Sequence, residues 1–351
     1  MKKLILFLLL FPLTLSVIAQ VVSENLFYLV DTPESFASFK TNLNQISIVC
    51  PQTFRISKEG VISGSVDHRI LELARANKIK VMPLIVNSGF TAQLLHAILS
   101  NPLARKRSIK MMLEYAKKYN LEGWQFDLEG LNIADRNNYT SYFKETADAL
   151  HKAELQLSAA VVHSVEDSPG PTPYHRYLYE NWIAGYDFKE ISEAGDFISI
   201  MSYDQHTRRT PPGPVAGADW VERVVRYLIK KGVAPEKMSL GIPDYSMHWF
   251  PDYTEEKGGF SNGQQIGYKV VANLLATNKA ELMWNEKAGC HYTFWDNDGV
   301  YEYMYIEDGA SLKRKLEILE KYKLRGISVW VLGKEAPDFW TTLQQQTIAK
   351  K

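Results

Sequence analysis

The sequence predicts an α/β chain: a (β/α)8 TIM barrel carrying a small α+β insertion after its seventh strand. Three observations predict it. Eight short β-rich runs alternate with stretches whose apolar residues recur at helical spacing. Several of those runs are nearly continuous in apolar residues, as strands covered on both faces are. One connection, from Ser246 to Gly309, is far too long for an ordinary loop.

The chain opens with Met1-Lys2-Lys3, then an apolar run from Leu4 to Ala19 broken only by Thr14 and Ser16 among its polar positions. A basic start, an apolar middle and a small-residue exit predict a secretory signal peptide over residues 1–19, and with it a secreted or periplasmic protein. No cysteine lies near the cleavage point to carry a lipid, and no later segment is long and apolar enough to span a bilayer. The mature barrel is expected over 20–351, with 246–309 as the inserted subdomain.

The strands are expected at Leu26–Val30, Ile46–Thr53, Lys80–Val86, Gly123–Glu129, Leu155–Val162, Asp196–Asp204, Met238–Tyr245 and Gly326–Gly333. Between them Ile109, Met112, Leu113 and Ala116 fall at i, i+3, i+4 and i+7; Val221, Val224, Val225 and Leu228 repeat the spacing before Gly232, a helix stop. Leu312, Leu316 and Leu319 form a third stripe. Parallel strands need crossovers rather than tight turns, and eight strand–helix units point to the barrel. A doubly wound open sheet is the competing fold, but no Gly-rich phosphate loop follows the first strand. Inside the long connection, Tyr292–Trp295 and Tyr301–Tyr305 flank Asp296-Asn297-Asp298-Gly299, a hairpin-turn signal.

Composition narrows the function. At 46% hydrophobic and 23% charged, with 40 Lys+Arg balancing 40 Asp+Glu, the chain is neither disordered nor a nucleic-acid binder held by bulk positive charge. Its 8 His show no ligand-like cluster such as His-Glu-x-x-His, so a metal-dependent hydrolase is disfavoured, and neither metal nor cofactor is expected. Cys50 and Cys290 are read as two buried thiols, with pairing left open.

The chemistry lies in Gly123-Trp124-Gln125-Phe126-Asp127-Leu128-Glu129. Alternation puts Trp124, Phe126 and Leu128 on one face, toward the helices, and Gln125, Asp127 and Glu129 on the other, toward the lumen. Two unpaired carboxylates in a barrel interior cost several kcal/mol each unless one keeps its proton. No predicted strand offers a Lys or Arg in its middle to pair with them. A split pair, one acid and one anion at the C-terminal end of a barrel strand, is what general acid catalysis requires. Lying side by side, the two cannot flank opposite faces of a sugar ring, so a nucleophile must come from elsewhere, a neighbouring group on the substrate being one solution.

This stretch resembles the signature of glycoside hydrolase family 18, the chitinase-like enzymes. Met201-Ser202-Tyr203-Asp204 is similar to the family's Met-x-Tyr-Asp motif at the sixth strand, and Gly326–Trp330 with Leu332-Gly333 to its eighth. Gly241-Ile242-Pro243 and Glu307-Asp308 resemble the bacterial branch that includes spore-cortex glucosaminidases and chitobiase-like proteins. The resemblance implies retaining, substrate-assisted hydrolysis of β-linked N-acetylglucosamine glycans: chitin oligosaccharides, peptidoglycan or the N-glycan core. By it Glu129 is the acid, Asp127 orients the 2-acetamido group, Tyr203 hydrogen-bonds that group, Asp204 contacts the sugar and Trp330 stacks beneath it. Gln125, Met201 and Tyr245 complete the expected substrate-binding set, and a monomer is expected. Two positions depart from the pattern: Glu122 replaces Asp, and Gln125 replaces Asp or Asn, removing a carboxylate that would share a proton with Asp127. Tyr245 and His163 fall near strand ends, where a packed role competes with a substrate contact. A catalytically silent carbohydrate-binding protein on the same barrel is the alternative, disfavoured by retention of Glu129.

Overall fold

The computed structural model describes residues 24–251 and 261–348; the predicted signal segment lies outside them. Eight barrel positions are occupied by Glu24–Leu29, Ile48–Pro51, Lys80–Val81 with Leu84–Asn87, Gly123–Asp127, Gln156–Val162, Phe197–Met201, Met238–Pro243 and Gly326–Trp330. Neighbours pair in parallel in chain order, and the eighth strand returns to the first, Leu26 opposite Ser328. The third strand, expected as one run, is broken at Met82-Pro83. Pro83 has no N–H to give a ladder. Its first half pairs with Ile48–Pro51 and its second with Gly123–Asp127. Across the break the Met82 N–H reaches Val49 O and the Gln125 N–H reaches Pro83 O, each at 3.0 Å, so this strand closes the ring.

The helices pack outside. Val221, Val224, Val225 and Leu228 of Ala218–Lys230 are all fully buried, and the helix stops before Gly232, whose φ of 91° suits glycine. In Pro102–Tyr119 the innermost line is Ala104, Ser108, Met112 and Ala116, while Ile109 and Leu113 are half-buried beside it. Asp308 and Ser311 form a reciprocal capping box at the start of Gly309–Tyr322, where Leu312, Leu316 and Leu319 face inward.

The lumen is divided. Over the first three strands it is apolar, filled by Leu26, Tyr28, Ile48, Cys50, Met82 and Leu84. Over the later strands Ser158, Ser199, Ser239 and Ser328 take its place, all nearly inaccessible. Their small side chains leave the room that Gln125 occupies. Cys50 and Cys290 are both free and buried.

Between the seventh and eighth strands the chain builds an antiparallel five-stranded sheet from Ser246–Pro251, Ser261–Ile266, Met283–Asn285, Cys290–Asn297 and Val300–Ile306, with helix Tyr268–Asn278 on one face. The hairpin turns at Asp298-Gly299, both at positive φ (55° and 83°), the backbone of a two-residue primed turn.

Candidate active site

The fourth strand places the site. A Cβ at Gly123 would sit 2.3 Å from Gln156 O, so only glycine lets the two strands approach. Trp124, Phe126 and Leu128 point outward and are fully buried; the Trp124 indole N–H donates to Met112 O at 3.2 Å, and Phe126 packs on Tyr142 and Phe143. These contacts fix which face turns inward. Gln125 Nε2 then donates to Ser158 Oγ (3.0 Å) and Ser199 Oγ (2.9 Å), and Ser328 bridges Ser199 and Ser239. Gln125 is thus fully buried within the serine cluster. Glu122 serves the strands instead: its Oε2 accepts the Val81 N–H at 2.7 Å.

Beyond the strand the backbone of Glu129 is held from both sides by Asn87, whose Oδ1 accepts the Glu129 N–H at 2.9 Å and whose Nδ2 donates to Glu129 O at 2.8 Å. Tyr186 Oη donates to Leu128 O at 2.9 Å. Gly130 follows at φ 73°, where a Cβ would lie 2.6 Å from Phe90 O, so the chain turns away immediately after the acid.

Asp127 is 5% exposed, its Oδ1 is buried without a partner, and its side chain shares a hydrogen bond with Glu129. Burial raises the pKa of both carboxyls, Asp127 to about 6. Glu129 is held well above its ordinary value, first by burial and then by the negative charges of Asp127 and Asp204. No cation is among the groups that shift either one. Two buried carboxyls set side by side titrate as a pair, both displaced upward from their ordinary range.

Tyr203 and Asp204 arrive from the end of the sixth strand. Tyr203 is buried, meets Tyr245 edge-on at 6.3 Å, and lies within electrostatic reach of Asp127, Glu129 and Asp204. Asp204 sits at φ 59°, a left-handed conformation that Asp tolerates. Its carboxylate accepts Tyr245 Oη at 2.5 Å; burial raises its pKa, and hydrogen bonds from Tyr245 and Gln265 with the nearby Lys334 charge oppose the rise. Met201 O bonds His163 Nδ1 at 3.1 Å; burial lowers the pKa of that imidazole to about 4, leaving it neutral. Trp330 is half-buried with its ring 5.3 Å from Tyr28. The Trp330–Val331 peptide is cis and is gripped by Asp244, which accepts the Val331 N–H on Oδ1 at 2.6 Å and donates its own N–H to Trp330 O at 3.0 Å.

Asp127, Glu129, Tyr203, Asp204 and Tyr245 thus form one connected group at the C-terminal mouth of the barrel, with Tyr28 linking it to Trp330. Sequence reasoning missed Asn87, Tyr28, Asp244, Gln265 and Lys334. Asn87 and Tyr28 lie toward strand C-terminal ends, the positional signal that would have found them. Gln265 carries no such signal, since it reaches Asp204 only because the insertion folds over the mouth. Among the described residues no three His, Cys, Asp or Glu are grouped to hold a metal ion, and no helix is long and apolar enough to cross a membrane.

The upward shift of these carboxyls has a thermodynamic signature. A carboxyl whose folded pKa is raised makes the folded state bind the extra proton, so stability falls as pH rises above the unfolded pKa. Glu129→Gln is therefore expected to raise the melting temperature, more at about pH 8 than at about pH 5. Circular dichroism melts measure this; an equal change at both pH values would contradict the protonation assignment.

Residues 35–335 match the profile of Glycosyl hydrolases family 18. The chain is 27% identical over 319 residues to an uncharacterized glycosylase, YvbX, of Bacillus subtilis, covering 89% of this chain and 87% of that one. It is 23% identical over 284 residues to the cortical fragment-lytic enzyme of the same organism, covering 80% of this chain and 63% of that longer protein. The crystal structure of a chitinase from Chromobacterium violaceum superimposes with a TM-score of 0.82 at 23% identity, over 94% of this chain and all of that one, a likeness of fold.

Proposed function

The chain belongs to the glycosyl hydrolases of family 18, and from that premise we propose that it is an exported glycosidase that cleaves β-linked N-acetylglucosamine glycans with retention, using the substrate's own acetamido group as nucleophile. The observation that carries this reading is the Asp127–Glu129 pair: buried, side by side, raised in pKa by that burial, and with no cation among the groups that shift either one.

In the proposed sequence Glu129 gives its proton to the glycosidic oxygen as that bond breaks. The acetamido oxygen attacks the anomeric carbon from the opposite face and forms an oxazolinium ion. Asp127, already anionic, stabilises the positive charge that develops on the acetamido nitrogen. Tyr203 donates to the acetamido oxygen and aligns it, a contribution made before the barrier is climbed. Glu129, now a carboxylate, takes a proton from the water that opens the ring, and the two inversions give net retention. Trp330 supplies the apolar floor and Asp204 a fixed polar contact. Gln125 places an amide rather than another carboxyl beneath Asp127, so the proton is not shared in that direction.

The test compares 4-methylumbelliferyl di-N-acetylchitobioside with the matching cellobioside, which lacks both acetamido groups. Hydrolysis of the first with the β-anomer as initial product, and none of the second, is expected. Comparable cleavage of both, or an α-anomer product, would overturn the mechanism. Saturable binding without hydrolysis would favour the carbohydrate-binding alternative.

A further inference from the structure

The barrel wall carries its charge unevenly. Residues 54–122 hold 12 Lys and Arg against 5 Asp and Glu, a net of +7, in a chain whose formal net charge is zero. Much of that excess lies on one helix, Pro102–Tyr119. Leu103, Lys106, Arg107, Lys110, Lys117 and Lys118 fall at i, i+3, i+4, i+7, i+14 and i+15, a single stripe opposite the inner line of Ala104, Ser108, Met112 and Ala116. All six are exposed. Glu114 is the one acid in the stripe among the described residues, and its ion pair with Lys110 spans 3.7 Å between two exposed side chains, too wet to neutralise the row. Lys106 and Lys110 stand four apart, a spacing at which like charges destabilise a helix, so the stripe does not serve the fold.

One end of the stripe is apolar and wet. Leu103 is 74% exposed, the largest value for a big apolar side chain among the described residues, and Val61 is 42% exposed. The fold brings them together, because the turn that joins Phe54–Ile56 to Ile62–Gly64 packs on the first turns of the helix. A Cβ at Gly60 would lie 2.0 Å from Ala104 O, and Arg107 Nη1 donates to Glu59 O at 2.7 Å. Lys58, on that turn, and Arg55, on the strand before it, are exposed as well. A row of cations alone suits any polyanion. Bare aliphatic side chains gain only where water is left behind, and a bilayer interface offers that beside the phosphates that Lys and Arg stems can reach.

We propose that this face, helix Pro102–Tyr119 with the turn at Val61, docks the protein on an anionic lipid surface. Leu103 and Val61 enter the headgroup layer, and the Lys and Arg side chains of the stripe pair with lipid phosphates. Helix and strand run antiparallel in the barrel wall, so the mouth at the strand ends opens along the membrane and not into it. Binding is measured by vesicle sedimentation on the chain from Gln20, which holds every strand and helix described above and omits the apolar run Leu4–Ala19 that would bind lipid by itself. Phosphatidylcholine vesicles with about 30% phosphatidylglycerol should bind the protein, phosphatidylcholine alone should not, and about 0.5 M NaCl should release it. Lys106→Gln with Lys110→Gln is expected to weaken binding at least about tenfold, and Leu103→Ser about fivefold, while Leu103→Ile keeps it. These positions are exposed, and unchanged melting shows that the fold is intact. Equal binding to both vesicles, or none to either, would overturn the proposal. Wild-type binding by Leu103→Ser would overturn the bilayer and leave a soluble polyanion as the partner.

Discussion

Replacing Glu129 by Gln is expected to lower kcat/KM for the chitobioside about 10²–10⁴-fold, the usual worth of a positioned general acid. The amide keeps the shape and the backbone grip of Asn87, so the loss reports the proton and not the scaffold. KM should change much less than kcat, because protonation of the leaving oxygen belongs to the transition state. The wild-type pH profile should be bell-shaped. With Asp127 raised to about 6, kcat/KM falls below that pH as the pair takes a second proton. It falls again at alkaline pH as Glu129, held well above its ordinary value, gives up the catalytic proton. Stopped assays across pH, wild type beside the variant, measure both limbs. Wild-type activity in the Gln variant would remove Glu129 from the mechanism.

The second large effect is on stability. Lys315 is fully buried and Glu307 is 4% exposed; Lys315 Nζ bonds Glu307 Oε2 at 2.6 Å, and Ser311 Oγ donates to the same oxygen at 2.7 Å. The Glu307 N–H donates to Ser246 Oγ at 3.0 Å, so this cluster ties together the two ends of the insertion where they leave and rejoin the barrel. Lys315→Met is expected to cost about 3–5 kcal/mol in urea denaturation, because the remaining carboxylate is left buried without its cation. Burial already raises the Glu307 pKa, with Lys315 opposing the rise; without Lys315 it climbs further. A raised folded pKa makes stability fall with rising pH, so the deficit should be larger at about pH 7 than at about pH 4. The double variant Lys315→Met/Glu307→Gln should recover part of the loss. A deficit independent of pH would mean that packing, not the stranded charge, is responsible.

Much of the site was legible because it is built from short stretches of chain. Within Trp124–Glu129 the strand period alone assigns the inward and outward faces, and the structure shows Trp124 and Phe126 against helices and Asp127 in the lumen. The motif ends at Tyr203-Asp204 and Trp330 sit at strand termini, where any barrel gathers its side chains. The third strand was less legible: its apolar run continues through Met82, but Pro83 cannot serve the ladder, and the strand divides between two neighbours. Nor does the amphipathic pattern of Pro102–Tyr119 say which flank lies deepest, since Ile109 and Leu113 end half-buried while Ser108, bonded to Tyr142, is fully buried.

By itself the sequence determined what depends on near neighbours along the chain: the eight alternating units, the turn at Asp298-Gly299, and the two carboxyls set two positions apart where one strand, Gly123–Asp127, ends. Those properties follow from backbone periodicity, which is local. The tertiary structure alone decided which groups surround those carboxyls. Asn87 stands 42 positions from Glu129 and Gln265 61 from Asp204, and no local pattern encodes either meeting. That burial and neighbouring carboxylates, with no cation among the groups that act on them, raise both carboxyls is likewise a property of the closed barrel. Desolvation and field depend on what packs nearby in space, and only ring closure and the folded insertion specify that.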